Sequence, residues 1–319
     1  MRIAVIGLGV ISKVHIAVIK SLGERIVAVC DNDEKRLEQY PEIAGYTDYE
    51  RMFDEQEIDV VHICLPHFLH TQVILSALKR NINVLCEKPL CIKSEDIQAI
   101  ISAQKSNSAQ LGVCFQNRYN ACVREVQRLL SNKKILSASA RLTWHRDKNY
   151  YAQGEWRGKK ALEGGGVLIN QAIHTIDLMQ LLLGMPKSVI CKCDNLSLKG
   201  VIEVEDTARI TCNGENSFTL IATNAALSDY PVEICIQTQG EQIRLVGNKV
   251  YVDGKCKICK EKGILYGKAV YGTGHGALIS DFYNCVKTGE KFKIDAQAAS
   301  NAVKIVLAAY QSSGEEIPL

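Results

Sequence analysis

A glycine-rich turn near the start of the chain constrains the fold more than any other feature of the sequence. An apolar run over residues 3–6 leads into Gly7 and Gly9, and residues 13–22 then show the apolar spacing of a helix. In such a unit Gly7 permits the tight turn, and Gly9 lets the backbone approach a pyrophosphate at the helix N-terminus. Ser12 replaces the last glycine of this dinucleotide-binding pattern; it is small enough for close packing and can cap the helix. The predicted cofactor contacts of this turn are Gly7, Gly9, Val10, Ile11 and Ser12.

The rest of the first part alternates short Val- and Ile-rich runs with helical patterns. The runs are residues 2–6, 25–31, 59–65, 83–86 and 110–116, and the helical patterns are residues 13–22, 33–40, 70–80, 94–105 and 122–130. Continuous apolar strands separated by helices imply a parallel sheet that is covered on both faces. We therefore predict an α/β fold in which a doubly wound parallel sheet binds a dinucleotide. The alternative at the glycines is a plain strand–helix turn.

Beyond residue 135 the pattern changes to alternating apolar and polar residues, which favours a largely antiparallel open sheet with one solvated face. These runs are residues 137–144, 204–212, 217–224, 232–238 and 242–246. A long helix is predicted at residues 167–183, and two C-terminal helices at 277–288 and 296–311. We place the domain boundary near Asn120, with a dinucleotide-binding domain at 1–120 and an α+β substrate-binding and oligomerisation domain at 121–319, whose C-terminal helices can pack back on the first domain.

Composition narrows the function classes. The 319 residues suit two domains. The chain has 38 Lys and Arg against 35 Asp and Glu, which gives a formal charge of +3. This balance does not predict a basic surface that would bind nucleic acid. The 13 cysteines are dispersed, many in apolar runs, as in a reducing cytosol, and no targeting segment is apparent, so we expect a cytoplasmic protein. Polar residues interrupt the apolar region 166–185, which favours a buried helix over a membrane span.

Asp31 ends a predicted strand about 20 residues beyond the glycines. A carboxylate there accepts hydrogen bonds from the adenosine ribose and repels a ribose phosphate, which favours NAD over NADP. Lys35 and Arg36 partly offset that repulsion. The alternative is that Asp31 only opens a turn before Asn32.

Two further strand ends carry candidate residues, because ligands of open α/β sheets gather at the carboxyl ends of the strands. Leu65, Pro66, His67 and His70 follow one strand, and we predict cofactor contact or helix capping there rather than a metal site. Glu87, Lys88 and Pro89 follow the next strand, and Glu87 and Lys88 are predicted cofactor contacts. Lys88 is a candidate catalytic residue, since a buried lysine can polarise a carbonyl or transfer a proton. The alternative is a salt bridge between Lys88 and Glu87.

The ordered set of motifs resembles the Gfo/Idh/MocA family, which includes glucose–fructose oxidoreductase and inositol dehydrogenases. The motifs are GLGVIS at the start, Asp31, EKP at residues 87–89, NRY at 117–119, Trp156 with Arg157, and GGGVLINQAIHTID at 164–177. The resemblance spans nearly the whole chain. It implies an N-terminal Rossmann domain, a C-terminal open sheet that forms a homodimer or homotetramer, and a cofactor between the domains with its nicotinamide near Lys88.

The resemblance also implies an acid/base role for His174, and an imidazole exchanges protons near neutral pH. The alternative is a satisfied core histidine. Inositol dehydrogenase-like members of the family carry an aspartate where this chain has Asn170. An asparagine can hydrogen-bond a substrate hydroxyl but cannot accept its proton, so we expect a sugar as the substrate in place of an inositol. Asp177 either orients His174 or serves a surface or capping role.

Further residues suit a hydroxyl-rich ligand in segments that the family places around the cleft. Arg118 is predicted to contact the cofactor, and the predicted substrate contacts are Lys88, Tyr119, His145, Trp156, Arg157, Asn170, His174 and, in a second rank, His275. Trp144 and Tyr151 belong to the same aromatic set, while Arg157 alternatively pairs with Glu163. The pairs Cys191/Cys193 and Cys256/Cys259 raise zinc or redox chemistry, but the second pair alternates with lysines and isoleucine as an edge hairpin does, and we predict no metal.

The sequence therefore predicts an NAD-dependent dehydrogenase that transfers a hydride between a secondary alcohol of a sugar, sugar derivative or polyol and nicotinamide. In this hypothesis His174 takes or gives the hydroxyl proton and Lys88 polarises the oxygen. Two alternatives stay open. One is a glycoside-cleaving enzyme that retains NAD through a transient redox cycle, and the other is a non-catalytic NAD-responsive regulator.

Overall fold

The computed structural model describes residues 1–259, 263–267 and 272–319. The chain divides into two compact units, of which the first comprises Met1–Gln116 with Gly263–Ser300 and the second Asn117–Lys262 with Asn301–Leu319. The division thus falls slightly before the predicted boundary near Asn120. The segment Gly263–Ser300 belongs to the first unit.

The first unit is built on a six-stranded parallel sheet with the order β3-β2-β1-β4-β5-β6. Its strands are β1 (Arg2–Ile6), β2 (Arg25–Cys30), β3 (Ala44–Tyr46), β4 (Val60–Ile63), β5 (Asn83–Cys86) and β6 (Leu111–Val113). The central strands β1, β4 and β5 are apolar and almost wholly buried, as expected for a sheet covered on both faces. The strand order reverses beside β1, and in such sheets the crevice at this switch point binds the ligand.

Among the described residues, six α-helices lie wholly within this unit, and α11 (Ala296–Ser312) begins in it. The six are α1 (Ser12–Ser21), α2 (Glu34–Leu37), α3 (Tyr49–Glu55), α4 (His70–Lys79), α5 (Ser94–Lys105) and α10 (Gly274–Thr288). The parallel α/β prediction is confirmed. The predicted element order was wrong in one place, because it omitted β3 and α3. The strand β3 has only three residues and lies at the sheet edge, so it carries no β-rich run for a sequence pattern to detect.

The second unit is built on a nine-stranded sheet with the order β14-β13-β12-β11-β7-β10-β9-β8-β15. Its strands are β7 (Ile135–Thr143), β8 (Ser188–Asp194), β9 (Thr207–Asn213), β10 (Phe218–Thr223), β11 (Glu233–Thr238), β12 (Gln242–Val246), β13 (Lys249–Val252), β14 (Lys255–Lys257) and β15 (Ile317–Pro318). Strands β7 and β10 pair in parallel, and the other described pairs of this sheet are antiparallel. The prediction of a largely antiparallel open sheet is confirmed.

Helices cover one face of this sheet and leave the other face exposed. The helices of the unit are α6 (Ala121–Leu130), α7 (Lys148–Tyr151), α8 (Lys160–Glu163), α9 (Ile173–Leu183) and the end of α11 (Ala296–Ser312). Helix α6 packs on β12 and β13, and α9 packs on β7. Exposed residues alternate with buried ones along β7, β9 and β10, as the period of two requires when one face is solvated.

The predicted helix at 167–183 begins with a π-helical stretch, Leu168–Ala172, that continues into α9. By length and composition alone, Lys160–Leu183 is one described helix that could cross a membrane, but 83% of its most apolar window is buried within the structure. A core helix passes the same test, and this burial agrees with the predicted buried helix. Short π-helical stretches are found mostly as bulges inside α-helices and frequently at functional sites.

Candidate functional site

The turn between β1 and α1 has the geometry that the glycine pattern predicts. Gly7 adopts φ +85°, and a Cβ there would lie 2.5 Å from the carbonyl oxygen of Cys64, so only glycine fits. A Cβ on Gly9 would meet no atom within 4 Å. The protein itself therefore leaves the space beside Gly9 open. Together with the N–H groups of the first turn of α1, this space fits the phosphates of a dinucleotide.

Ser12 has a different role from the predicted cap. It is fully buried at the first position of α1, and its hydroxyl donates a hydrogen bond to the carbonyl of Gly9 at 2.7 Å. Ile11 is the N-cap residue and makes no side-chain cap. The capping prediction was wrong, whereas the prediction that a small residue packs here is confirmed. Val10, between the glycine turn and the helix, is 62% exposed.

Asp31 is buried at the end of β2 and binds the glycine turn. Its carboxylate accepts hydrogen bonds from the backbone N–H of Leu8 at 2.7 Å and of Asp33 at 3.0 Å. Arg36 lies 3.2 Å away as an ion-pair partner. A carboxylate has about four acceptor positions, so these three contacts leave room for one more donor, such as a ribose hydroxyl. Asp31 therefore organises its turn, as the alternative proposed, and is still able to accept a ligand.

Of the residues that follow β4, some contact the glycine turn and others make hydrogen bonds or ring contacts within the protein. Leu65 lies against the turn, with its Cδ2 3.1 Å from the position of a Cβ on Gly7. His70 is fully buried, and its two ring nitrogens lie 2.7 Å from the carbonyl of Pro89 and 2.9 Å from that of Leu65. A direct polar contact of His70 with a cofactor is therefore contradicted, because both nitrogens bind the protein. Pro66 is half-buried, and His67 is buried beside the ring of His70.

Lys88 is half-buried in the loop after β5, and its two neighbours are fixed. The carboxylate of Glu87 lies 2.9 Å from Nε2 of His15, so the partner that the fold provides for Glu87 is a histidine. Burial raises the pKa of Glu87, but the His15 hydrogen bond and the charges of His15, His275 and Lys88 outweigh it and hold that pKa well below its usual range. On the other side, the carbonyl of Pro89 is held by His70.

Sequence reasoning missed a buried polar cluster beside this loop. It contains His15, His62 and Tyr283, which are linked by hydrogen bonds to one another and to Glu87. Cys114 also lies close, within 4.8 Å of the ligand-type atoms of His15 and Glu87. Both ring nitrogens of His15 are already engaged in hydrogen bonds, so we interpret the group as a hydrogen-bonded cluster. The available signal was the position of His15 and His62 within the apolar runs 14–19 and 60–65.

His275 belongs to the same cluster. It is 2% exposed near the start of α10, and its ring centroid lies 6.2 Å from that of His15. Burial lowers the pKa of His275 to about 4, although the charge of Glu87 raises it. The ranking of His275 as a substrate contact is therefore corrected, because the structure packs it among polar side chains of the first unit.

In the second unit, His174 lies half-buried in α9, just beyond the π-helical stretch that contains Asn170. Asn170 is 8% exposed, and its Nδ2 donates to the carboxylate of Glu163, which is fully buried. Glu163 also accepts the backbone N–H of Gly158. The alternative pairing of Arg157 with Glu163 was wrong, since Arg157 donates to the hydroxyl of Tyr150 at 2.7 Å. The amide of Asn170 is thus oriented by Glu163.

Two of the three glycines before this helix, Gly165 and Gly166, are explained by residues that sequence reasoning missed. A Cβ on Gly165 would lie 2.0 Å from the hydroxyl of Tyr310, and one on Gly166 would lie 1.9 Å from the carbonyl of Glu205. The buried carboxylate of Glu205 accepts the N–H of Gly166 at 2.9 Å, that of Leu168 at 3.0 Å and the hydroxyl of Tyr310 at 2.8 Å. Glu205 therefore fixes the start of the helix that carries His174.

Asp177 pairs with Arg118, which corrects two predictions. The Asp177 carboxylate is 1% exposed and accepts from Nε and Nη2 of Arg118 at 2.8 and 2.5 Å. Burial raises the pKa of Asp177, and the Arg118 hydrogen bond only partly offsets this. Asp177 therefore binds Arg118 in place of orienting His174. The guanidinium that was predicted to contact the cofactor serves as the counter-ion of this buried carboxylate.

Three residues of the predicted aromatic set, Trp144, Trp156 and Arg157, belong to a stacked surface in the second unit; Arg146 and Tyr150, which complete it, were not predicted. Arg146 lies over the rings of Trp144 and Tyr150 at 4.9 and 5.2 Å, and Arg157 lies over Tyr150 and Trp156 at 4.6 and 4.7 Å. These planar contacts hold both guanidinium groups in place.

Other predicted members of the set make their own contacts. His145 is exposed and its Nδ1 donates to the carbonyl of Ala226, while Tyr119 lies under Arg124. Tyr151 packs edge-on against the ring of Tyr150 at 5.0 Å and is itself buried in a core cluster with Leu198, Ile202 and Val204, so it supports the stack from beneath.

Three of the four cysteines in the two pairs lie on strands near the ends of the second sheet, and Cys259 follows the edge strand β14. Cys256 is in the edge strand β14, which pairs antiparallel with β13, so the predicted edge hairpin is confirmed. The sulfurs of Cys191 and Cys193, in β8, are 3.6 Å apart. None of these four described cysteines forms a disulfide.

The parallel sheet with its strand-order reversal, the glycine turn and Asp31 define a dinucleotide-binding protein of the Rossmann class. Two family models match this chain, one for an oxidoreductase family with an NAD-binding Rossmann fold over residues 1–115 and one for the GFO/IDH/MocA C-terminal domain over residues 123–250. The chain belongs to the GFO/IDH/MocA oxidoreductase family, and its first unit carries the NAD-binding domain of that family.

Curated relatives are similar at low identity. Myo-inositol 2-dehydrogenase of Thermotoga maritima is 26% identical over 189 residues, which are 58% of this chain and 55% of the relative. D-glucoside 3-dehydrogenase of Escherichia coli is 28% identical over 58% of this chain and 55% of the relative. The chain thus spans about half the length of these relatives. The uncharacterized oxidoreductase YrbE of Bacillus subtilis is 22% identical over 99% of this chain and 95% of its own.

Solved structures share the fold over the whole chain. The WlbA dehydrogenase from Bordetella pertussis, in complex with NADH and UDP-GlcNAcA, has a TM-score of 0.88 at 24% identity and covers 100% of this chain and 98% of its own. Myo-inositol 2-dehydrogenase from Lactobacillus plantarum has a TM-score of 0.85 at 23% identity, with coverages of 100% and 99%. These similarities confirm the two-domain α/β architecture.

Proposed function

We propose that this protein is an NAD-dependent dehydrogenase that oxidises or reduces a secondary alcohol of a sugar, sugar derivative or polyol. The observation that carries the proposal is the edge of the parallel sheet in the first unit. There the open space beside Gly9, the residual acceptor position of Asp31 and the half-buried Lys88 all follow strands of one sheet. A site for the dinucleotide and a cationic side chain are thus combined in one domain.

The residues of the first unit divide into two groups by role. Gly7, Gly9 and the first turn of α1 would hold the phosphates of NAD, and Asp31 would accept a ribose hydroxyl, which favours NAD over NADP. Bound NAD supplies the acceptor or donor of a hydride. Lys88 polarises the substrate oxygen, which requires its ammonium to be held in one place; the anchored neighbours Glu87 and Pro89 provide this.

His174 is the proposed acid/base in the second unit. It lies half-buried on a helix whose start is fixed by Glu205, and it follows a π-helical stretch in which Asn170 is oriented by Glu163. An imidazole in such a place takes the hydroxyl proton during oxidation and returns it during reduction.

The substrate class follows from the aromatic and arginine surface and from the relatives. Stacked rings with fixed guanidinium donors suit a hydroxyl-rich ligand. The relatives bear the names of inositol and glucoside dehydrogenases, which act on cyclic polyols and sugars. Because Asn170 cannot act as the carboxylate of the inositol enzymes, we propose a sugar or sugar derivative in place of an inositol. We also propose a cytoplasmic homodimer or homotetramer that assembles through the exposed face of the second sheet, without a nucleic-acid or membrane partner.

The test is nicotinamide absorbance in the near ultraviolet, followed while the purified protein meets NAD or NADP and a panel of hexoses, uronates, amino sugars, sugar nucleotides and inositols. A rise with NAD and one sugar class is the expected result. Lys88→Met should bind NAD with unchanged affinity and lose turnover by roughly a hundredfold or more. Turnover of the Lys88 variant at the wild-type rate removes Lys88 from the mechanism. Tight NAD binding without turnover on any panel member refutes the dehydrogenase proposal.

A further inference from the structure

Four buried titratable side chains form one continuous hydrogen-bonded chain in the first unit. The hydroxyl of Tyr283 lies 2.8 Å from Nε2 of His62, and Nδ1 of His62 lies 2.7 Å from Nδ1 of His15. Nε2 of His15 lies 2.9 Å from Oε1 of Glu87. The four residues are between 0% and 6% exposed, and the chain ends at the residue before Lys88. Helix α10, strand β4, helix α1 and the loop after β5 each contribute one member.

When Glu87 is ionised and both histidines are neutral, the geometry fixes the direction of every hydrogen bond. A carboxylate only accepts, so His15 donates through Nε2 and its Nδ1 becomes an acceptor. His62 must then donate through Nδ1, which makes its Nε2 an acceptor for the hydroxyl of Tyr283. Both histidines are neutral in this arrangement and have opposite tautomers. Each of the three contacts holds one proton, and the only charge is on Glu87.

The surroundings of the chain support this charge distribution. Burial lowers the pKa of His62, and the neighbouring His15 lowers it further. Burial also raises the pKa of Tyr283 and keeps its proton on the oxygen. Other titratable groups of the described residues that act on the chain are Glu24, His275, Lys88 and the thiols of Cys64, Cys86 and Cys114. Burial raises the pKa of each of these thiols. A carboxylate in such a place is costly unless it is hydrogen-bonded, so the chain replaces the water that Glu87 loses.

The anchored carboxylate acts on the loop that carries Lys88. The side chain of Glu87 is held by His15, and its backbone N–H donates to Ile63 in β4 at 2.9 Å. The next anchor is the carbonyl of Pro89, which His70 holds at 2.7 Å. Lys88 therefore lies between two residues that are fixed at three points. Reactive groups need such support, because a misplacement of about 1 Å can cost about a hundredfold in rate.

We propose that the buried chain Tyr283–His62–His15–Glu87 is a positioning device that holds Lys88 in one orientation for the reaction. The proposal rests on the catalytic role of Lys88 given above. Its four members do not touch the substrate and act through the backbone of the loop. Removal of the Tyr283 hydroxyl, at the end of the chain farthest from Glu87, should therefore change the orientation of Lys88.

The first experiment needs no substrate. Nitrogen-15 NMR of the histidine-labelled full chain should show His15 protonated on Nε2 and His62 on Nδ1 at neutral pH. Tyr283→Phe should change the His62 signals. In a second sample labelled at lysine, it should also shift the resonance that disappears in Lys88→Met. Tyr266→Phe is the matched control, because its hydroxyl donates at 2.7 Å to Ser21, at the end of α1 away from the glycine turn. The opposite tautomers, or stoichiometric metal in the purified protein, would overturn the proposal.

The second experiment measures turnover and nicotinamide binding of the variants. Tyr283→Phe and His15→Phe should lower kcat by about tenfold to a hundredfold and leave the NAD dissociation constant within roughly twofold. His15→Gln, which keeps a donor for Glu87, should recover part of the loss, whereas Tyr266→Phe should match wild type. Wild-type kcat in both chain variants refutes the positioning role. Absence of turnover in the wild type refutes only the dehydrogenase function, since the NMR result stands without it.

Discussion

The buried pair Arg118–Asp177 offers a test that separates a structural role from cofactor binding. The side chains are 11% and 1% exposed, and the two hydrogen bonds measure 2.8 and 2.5 Å. Arg118→Met keeps the length of the side chain but leaves a buried carboxylate without its counter-ion. Removal of one partner of such a pair typically costs about 3–5 kcal/mol. We therefore expect Arg118→Met to reduce the free energy of unfolding of the second unit by this amount and to leave NAD affinity unchanged.

The assay is urea unfolding followed by tryptophan fluorescence, because the two tryptophans of the chain, Trp144 and Trp156, both lie in the second unit. With an m-value of about 2 kcal/mol per molar urea, the midpoint should fall by about 2 M. The double variant Arg118→Met with Asp177→Leu is the control, since it removes both charges and should unfold within about 1 kcal/mol of wild type.

The pH dependence of the same variant has a definite sign. Burial raises the pKa of Asp177 in the folded state, so the folded protein binds this proton more tightly than the unfolded chain does. The variant should therefore lose less stability at pH 5 than at pH 7, since protonation of Asp177 removes the unpaired charge. Wild-type stability of Arg118→Met combined with weaker NAD binding would refute the structural interpretation and restore the predicted cofactor contact.

Two other perturbations test the first unit. Gly7→Ala, at φ +85° and with its Cβ 2.5 Å from a carbonyl oxygen, should lower the free energy of unfolding by roughly 1–3 kcal/mol. Gly9→Ala should leave the unfolding midpoint unchanged and weaken NAD binding measured by calorimetry. Equal effects of the two substitutions on stability would contradict the open space beside Gly9. Because burial lowers the pKa of His275 to about 4, the unfolded chain binds this proton more tightly, and stability should fall between pH 6.5 and pH 4 by up to about 3 kcal/mol, as measured by circular dichroism in urea. His275→Gln should flatten that curve, and parallel curves for the two proteins would count against the assignment.

The elements that sequence reasoning predicted correctly are those with a local signature. The strands β1, β2, β4 and β5 are runs of buried apolar residues, and α1 and α4 have the apolar spacing of helices packed on a sheet. The missed strand β3 has three residues, among them Gly45, and pairs with a single neighbour. Such a short edge strand is specified by its place beside β2, which is a long-range contact and leaves no periodic pattern.

The contacts of the site also divide into those with a local signature in the sequence and those that depend on long-range contacts. The run Gly164–Gly166 in the sequence signals a close approach, but nothing near it in sequence identifies the approaching groups as Glu205 and Tyr310. The pairing of His15 with Glu87, 72 positions apart, and of His62 with Tyr283, 221 positions apart, is equally hidden. Sequence reasoning finds the polar residue in the apolar run; only the fold identifies its partner.

This limit explains which candidate ligand residues were corrected. His70, Arg118 and His275 are polar residues in buried segments, and in the structure each contacts other groups of the protein. A buried polar group must be hydrogen-bonded, and another buried group of the same chain satisfies this as well as a ligand does. Gly9 and Asp31 differ, because Gly9 borders open space and Asp31 keeps an acceptor position after its contacts with the protein are counted. Ligand residues are therefore better sought by the capacity that remains after internal partners are assigned than by polarity alone, and for this chain that criterion directs the first mutations to Gly9 and Asp31.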